Sequence, residues 1–191
     1  MQPLRRGIEV ITDPSHAAAR LSRRRIAVAA VLVAAVTPSA FAGAQKRVPV
    51  LRDSRFLWAT VNVCDTRRSP NTIGIRGSMP GLRDERETMW MRFQVQYLSD
   101  VDDSWHYVTD GGDSGFVAVG TARYKARQSG RSFRIDPNNG RSVVLRGRVS
   151  FEWRLRGEVV RRARKRTRKG HESSAGADPS GYTAATCTVT R

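Results

Sequence analysis

The stretch VVLRGRVSFEWRL, Val143 to Leu155, alternates apolar and polar residues with a period of two. Successive side chains of a β-strand point to opposite faces, so this pattern buries one face and wets the other. Val143, Leu145, Val149, Phe151, Trp153 and Leu155 are predicted to point inward, and Arg146, Arg148, Glu152 and Arg154 outward. Gly147 falls on the inward row and predicts a bulge or close packing. The same alternation runs through MWMRFQVQY, where Met89, Met91, Phe93, Val95 and Tyr97 share the buried face.

Further strands are predicted at Leu57 to Cys64, Thr72 to Gly77, Ser104 to Val108, Phe116 to Lys125, Val159 to Arg168 and Thr183 to Thr190. Turn-forming clusters such as RRSPN, SMPGLRDE, DGGDSG, DPNNGR and SAGADPSG separate them. No sustained helical period occurs beyond the N-terminal region. Short strands with recurrent Gly, Pro, Asn and Asp turns predict an all-β fold, an antiparallel sandwich of about seven to nine strands.

The N-terminus predicts export. An Arg-rich lead is followed by IAVAAVLVAAV, Ile26 to Val36, and by the small residues SAFAGA. An apolar run of this length fits a signal-peptide core and is too short for a permanent span, which needs about 20 residues. Cleavage after Ala42 or Ala44 satisfies the A-x-A rule. The second is preferred, giving a leader over 1–44 and a single domain over 45–191, with no stable transmembrane span in the mature form. SRRRIAV, Ser22 to Val28, also resembles a twin-arginine signal, although the general route is preferred. The expected location is secreted, or extracellular.

The chain carries 34 Lys and Arg against 17 Asp and Glu. Removing the leader takes away six basic and two acidic residues, leaving 28 and 15, a net charge of +13. Such charge favours anionic partners, but only four of the 34 basic residues are lysine, a skew that GC-rich coding also produces. The two cysteines, Cys64 and Cys187, are an even pair in an exported chain, which predicts one disulfide joining the first strand to the last. Leu57, Ala59, Val61 and Val63 share a face and Cys64 falls on the other, so Cys64 is placed at the strand's end, where the chain turns.

This spread of strands, with Cys64, Trp90 and Cys187, resembles the immunoglobulin-like and fibronectin-type-III-like domains of secreted bacterial proteins. The tyrosine of the immunoglobulin pattern two residues before the second cysteine is replaced by Ala185. The resemblance implies an immunoglobulin-like sandwich and carries no function.

EVVRRARKRTRK follows the turn RGE as the return strand of a hairpin. Period two sets Val159, Arg161, Ala163, Lys165 and Thr167 on one face, and Arg162, Arg164, Arg166 and Arg168 on the other with Val160. Arg146, Arg148, Arg154 and Arg156 extend this row into a basic patch. Two roles are open: a charged edge that resists pairing with other chains, which is preferred, or a site for an anionic polymer.

Other motifs carry less. GGDSGF resembles the nucleophile loop of chymotrypsin-like proteases, with Ser114 as nucleophile. His106 stands too near it in the chain, however, and TAATC has Thr186 where a histidine would stand. Asp100, Asp102, Asp103, Asp110 and Asp113 match no calcium-loop spacing and predict a solvated acidic hairpin. His106 and His171 are read as surface residues. No metal site, cofactor or catalytic constellation is expected. The chain is read as a non-enzymatic binding or structural module of unknown ligand; the alternative is a basic sheet face that binds an anionic cell-surface polymer or extracellular nucleic acid, and another surface protein is also open as partner.

Overall fold

A computed structural model describes residues 48–51, 54–137 and 141–190. The export leader and its cleavage sites lie outside the described residues. Nine strands form among the described residues: β1 (Trp58–Thr66), β2 (Ser69–Pro80), β3 (Asp84–Leu98), β4 (Trp105–Tyr107), β5 (Asp113–Ala122), β6 (Ala126–Arg134), β7 (Val143–Leu155), β8 (Glu158–Arg166) and β9 (Thr186–Val189). They make two antiparallel sheets. The small sheet has the order β1-β2-β6. The large sheet is built on β3 and β7, with β4 and β5 along the free side of β3, and β8 and β9 along the free side of β7.

The period-two rows become the core. Met89, Met91, Phe93 and Val95 of β3 and Leu145, Val149, Phe151 and Trp153 of β7 are all fully buried. They meet Ala59, Val61, Ile73, Ile75 and Met79 of the small sheet in one cluster. The buried Trp153 indole donates from Nε1 to the Pro80 carbonyl, 3.0 Å away, which satisfies its one polar atom inside that core. Gly147 marks close packing: a Cβ there would lie 2.7 Å from Thr167 Cγ2 and 2.8 Å from Ile75 Cδ1.

Three expectations are corrected. First, β6 lies where no strand is predicted. Of its nine residues only Phe133 is buried, so no apolar alternation marks it, and pairing with β2 from Thr72 to Pro80 makes it a strand. Second, the strand expected over Phe116 to Lys125 starts at Asp113 and stops at Ala122, before a turn leads into β6.

Third, Cys64 does not sit at a strand end. A bulge between Val61 and Val63 shifts the register, so that Val61 faces Ile75, Val63 faces Gly74 and Cys64 faces Ile73. The extra residue, Asn62, reverses the phase of the strand. Cys64 thereby turns to the inner row and bonds to Cys187 on β9, with Cα atoms 5.4 Å apart. The expected disulfide is present and joins the small sheet to the large one.

After β8 the chain leaves the large sheet and runs along the free edge of β1. Arg168 donates its N–H to Ala59 O (2.9 Å) and Asp178 to Asn62 O (2.9 Å), while Val61 and Ala184 exchange two bonds of 3.0 Å. It then returns as β9. Among the described residues no helix is long and apolar enough to cross a membrane.

Candidate polyanion-binding face

The β7–β8 hairpin turns through Arg156 and Gly157, both with positive φ (53° and 87°), the conformation of a tight two-residue hairpin loop. Arg156 therefore belongs to the turn and not to the face. The hairpin register sets Arg166 opposite Arg148, Arg164 opposite Ser150 and Arg162 opposite Glu152. All six side chains lie on the outer face of the large sheet. Arg162, Arg164 and Arg166 are exposed on β8, about 6.6–6.8 Å apart along the strand. Arg168 is exposed but lies beyond the strand, because its main chain already turns toward β1. Arg161 points inward, where its guanidinium pairs with the buried carboxylate of Glu87.

Aromatic rings fill the gaps. The Arg146 guanidinium lies over Trp105, 4.0 Å from the ring centre, and its Nε donates to Gln96 Oε1 at 3.0 Å. Arg148 stands 6.0 Å from the Tyr107 ring, and Arg154 packs 4.4 Å from Trp90 and 5.2 Å from Phe116. Trp90, the tryptophan of the immunoglobulin-type pattern, thus lies on the outer face, and Trp153 is the buried one.

Among the described residues Glu152 and Asp113 stand on this face, and both are taken. Glu152 accepts two bonds from Arg154, at 2.9 and 2.6 Å. Asp113 accepts from Arg92 Nε at 2.9 Å and from Gln94, and those bonds, the Arg92 one foremost, hold its carboxyl below the usual range. Among the described residues no carboxylate makes an ion pair with Arg146, Arg148, Arg162, Arg164 or Arg166. Burial, followed by the nearby charges of Arg166 and Arg148, pulls the Arg146 pKa down. Cations here are crowded against each other rather than matched by acids.

Beside β8 the face deepens into a groove of about 820 Å³. Arg164, Arg166 and Arg168 border it with Arg55, Trp58 and Trp105, and among the described residues no acid lines it. Trp58 stacks on His171, with ring centres 4.5 Å apart and planes 11° from parallel. His171, read from the sequence as a surface residue, is half-buried, and desolvation lowers its pKa. Arg55, Trp58, Trp105 and His171 escaped the sequence reading because long-range pairing alone brings them to β8; nothing local in the sequence marks them.

The protease-like motif does not assemble. Ser114 Oγ accepts from Phe93 N (2.9 Å) and donates to Gly115 O (2.7 Å), which makes it a backbone clamp at the start of β5. His106 instead meets Asp102 and Ser104, both through Nε2 at 2.8 Å. A catalytic relay needs the carboxylate and the nucleophile on opposite ring nitrogens. The Asp102 carboxyl is held down at about 2, first by the Ser104 hydroxyl and then by His106. Among the described residues no group of three metal-binding side chains occurs.

Compared with family models, with curated proteins and with solved structures, the chain matches none.

Proposed function

We propose that this chain is a secreted, non-enzymatic binding module of immunoglobulin-like type that holds an anionic polymer against the outer face of its large sheet. The observation that carries this reading is the convergence of Arg146, Arg148, Arg162, Arg164 and Arg166 on one face whose two acids, Glu152 and Asp113, are already engaged by Arg154 and Arg92. Such a face gains most from an external anion, because each bound negative group relieves the repulsion among the guanidiniums.

The alternative role, protection of a sheet edge, is weakened at the two ends of the arginine row, Arg162 and Arg168, by the course of the chain. Arg162 donates its N–H to Pro49 O and accepts from Leu51 N, so the protein's own N-terminal segment already covers the β8 edge there. The Arg168 N–H is likewise engaged, by Ala59. The arginine side chains point across the face rather than along the open edge.

The test is a salt series with heparin on the protein and on a variant with Arg162, Arg164, Arg166 and Arg168 all changed to Ser. Binding through released counterions predicts a steep loss of affinity with salt, with the slope of log K against log salt flattened by roughly 3 in the variant, at 0.7–0.9 for each lost contact. A variant that keeps its affinity and slope but aggregates would assign these arginines to the edge and overturn the proposal.

A further inference from the structure

We infer that the groove beside β8 seats a single strand of nucleic acid, with Trp58 and Trp105 as stacking platforms and Arg55, Arg164 and Arg166 as phosphate contacts. This rests on the polyanion reading and narrows it to one polymer class.

The groove lies between two backbone ties. Leu51 N and Pro49 O bond to Arg162 on β8, at 2.9 and 3.1 Å, and Arg168, just past β8, donates to Ala59 O on β1. Antiparallel pairing alternates the direction of main-chain groups. The outward groups of Arg162 therefore place those of Arg164 and Arg166 on the same side, away from β7. Among the described residues no other backbone group bonds to them there. The interval thus offers main-chain N–H and carbonyl groups together with guanidiniums, and among the described residues its walls carry no acid. An anion accepts from both kinds of donor; a cationic or apolar ligand uses neither.

The rings decide which anion. A chain of phosphates alone would satisfy the arginines and leave the tryptophans unused, and sulfated sugars would meet the rings only through C–H groups. Trp58 already forms a near-parallel stack with His171, and Trp105 is faced by Arg146. Flat rings interleaved with cations are the arrangement that holds successive bases and phosphates of a single strand. Spacing agrees with this. Arg164 and Arg166 stand about 6.6–6.8 Å apart, roughly twice the 3.4 Å rise per nucleotide of a stacked strand. The groove therefore suits a strand drawn out until its bases separate and can stack on protein rings. A duplex keeps its base faces covered and presents phosphates and base edges, so it offers no face to a stacking ring.

The test measures fluorescence anisotropy of a labelled oligo-dT, a duplex of equal length and labelled heparin with the intact protein. Trp58→Ala and Trp105→Ala are each expected to weaken oligo-dT binding by roughly fivefold or more while heparin affinity stays within about twofold. Arg55, Arg164 and Arg166 changed together to Ser should weaken both ligands. Because Trp58 and Trp105 are half-buried, Trp58→Phe and Trp105→Phe, which keep a flat ring, are expected to restore most of the oligo-dT affinity. Their thermal midpoints check that the fold is intact. Heparin binding as before, with oligo-dT unaffected by loss of either tryptophan, would overturn the nucleic-acid seat and leave the polyanion face standing. Duplex bound as tightly as oligo-dT would overturn it too. Failure of both heparin and oligo-dT to bind would remove both proposals.

Discussion

On the small sheet the outward side chains Thr60, Asn62 and Ser78 are buried, whereas on the large sheet the outward Arg162, Arg164 and Arg166 are exposed. Both sets obey the alternation of a strand, and both belong to the polar half of it. The difference is a cover. The segment between β8 and β9 lies across the small sheet: Thr60 and Thr183 share a hydrogen bond of 2.6 Å, and the Asn62 amide donates to the Ala175 and Gly176 carbonyls at 3.2 and 2.9 Å. A neutral hydroxyl or amide can be buried if its bonds are met. A row of guanidiniums without acids cannot, so the large sheet stays open. Polarity in a strand thus marks the outside of a sheet, and charge without an opposite partner marks the outside of the molecule.

The comparison can be broken most severely where the two sheets are fastened. Phe151→Ala removes a fully buried ring between them and is expected to cost about 3–5 kcal/mol. Changing Cys64 and Cys187 together to Ser releases a loop spanning 123 residues and is expected to cost about 2–5 kcal/mol. Denaturant midpoints measure both. A midpoint near that of the parent protein in either variant would mean that the sheets are held together by something else.

A paired measurement sharpens the contrast between the faces themselves. Asn62→Ala leaves the Ala175 and Gly176 carbonyls without their donor under the cover, for an expected loss of about 1–3 kcal/mol. Arg164→Ser on the open face is expected to stay within about 0.5 kcal/mol of the parent. Equal losses would show that the cover contributes nothing to the small sheet.

The smallest effect lies at the boundary between the faces, at His171. Burial lowers its pKa from the ordinary 6.5, so the folded state binds its proton less readily than the unfolded chain. Stability from this group is therefore complete above pH 6.5 and declines as the pH falls below it. His171→Phe keeps a ring against Trp58 and is expected to flatten the stability profile between pH 7.5 and 5. An unchanged profile in that variant would place the pH dependence elsewhere.

Much of the large sheet was legible in advance. Leu145, Val149, Phe151 and Trp153 share the buried row that their alternation predicts, and Arg162, Arg164 and Arg166 share the exposed one. Periodicity works there because one face meets apolar groups and the other meets water. It fails at β6, where both rows are largely polar and only Phe133 is buried. It fails also at Asn62, where one extra residue in β1 reverses everything after it while the residue types stay unremarkable.

By itself the sequence determined the strands with a clear two-residue period, the identity of the core on β3 and β7, and the excess of arginine over acid. Those follow from the local geometry of an extended chain and from counting charges. Only the tertiary structure decided that Cys64 turns inward, that the C-terminal segment covers the small sheet, and that Trp58 and Trp105 join the arginines of β8 in one groove. Each of these depends on groups far apart in the chain, as with Thr60 and Thr183, 123 residues distant. No periodicity records such a meeting, because what brings the groups together is the packing and hydrogen bonding of segments whose own patterns are satisfied equally well apart.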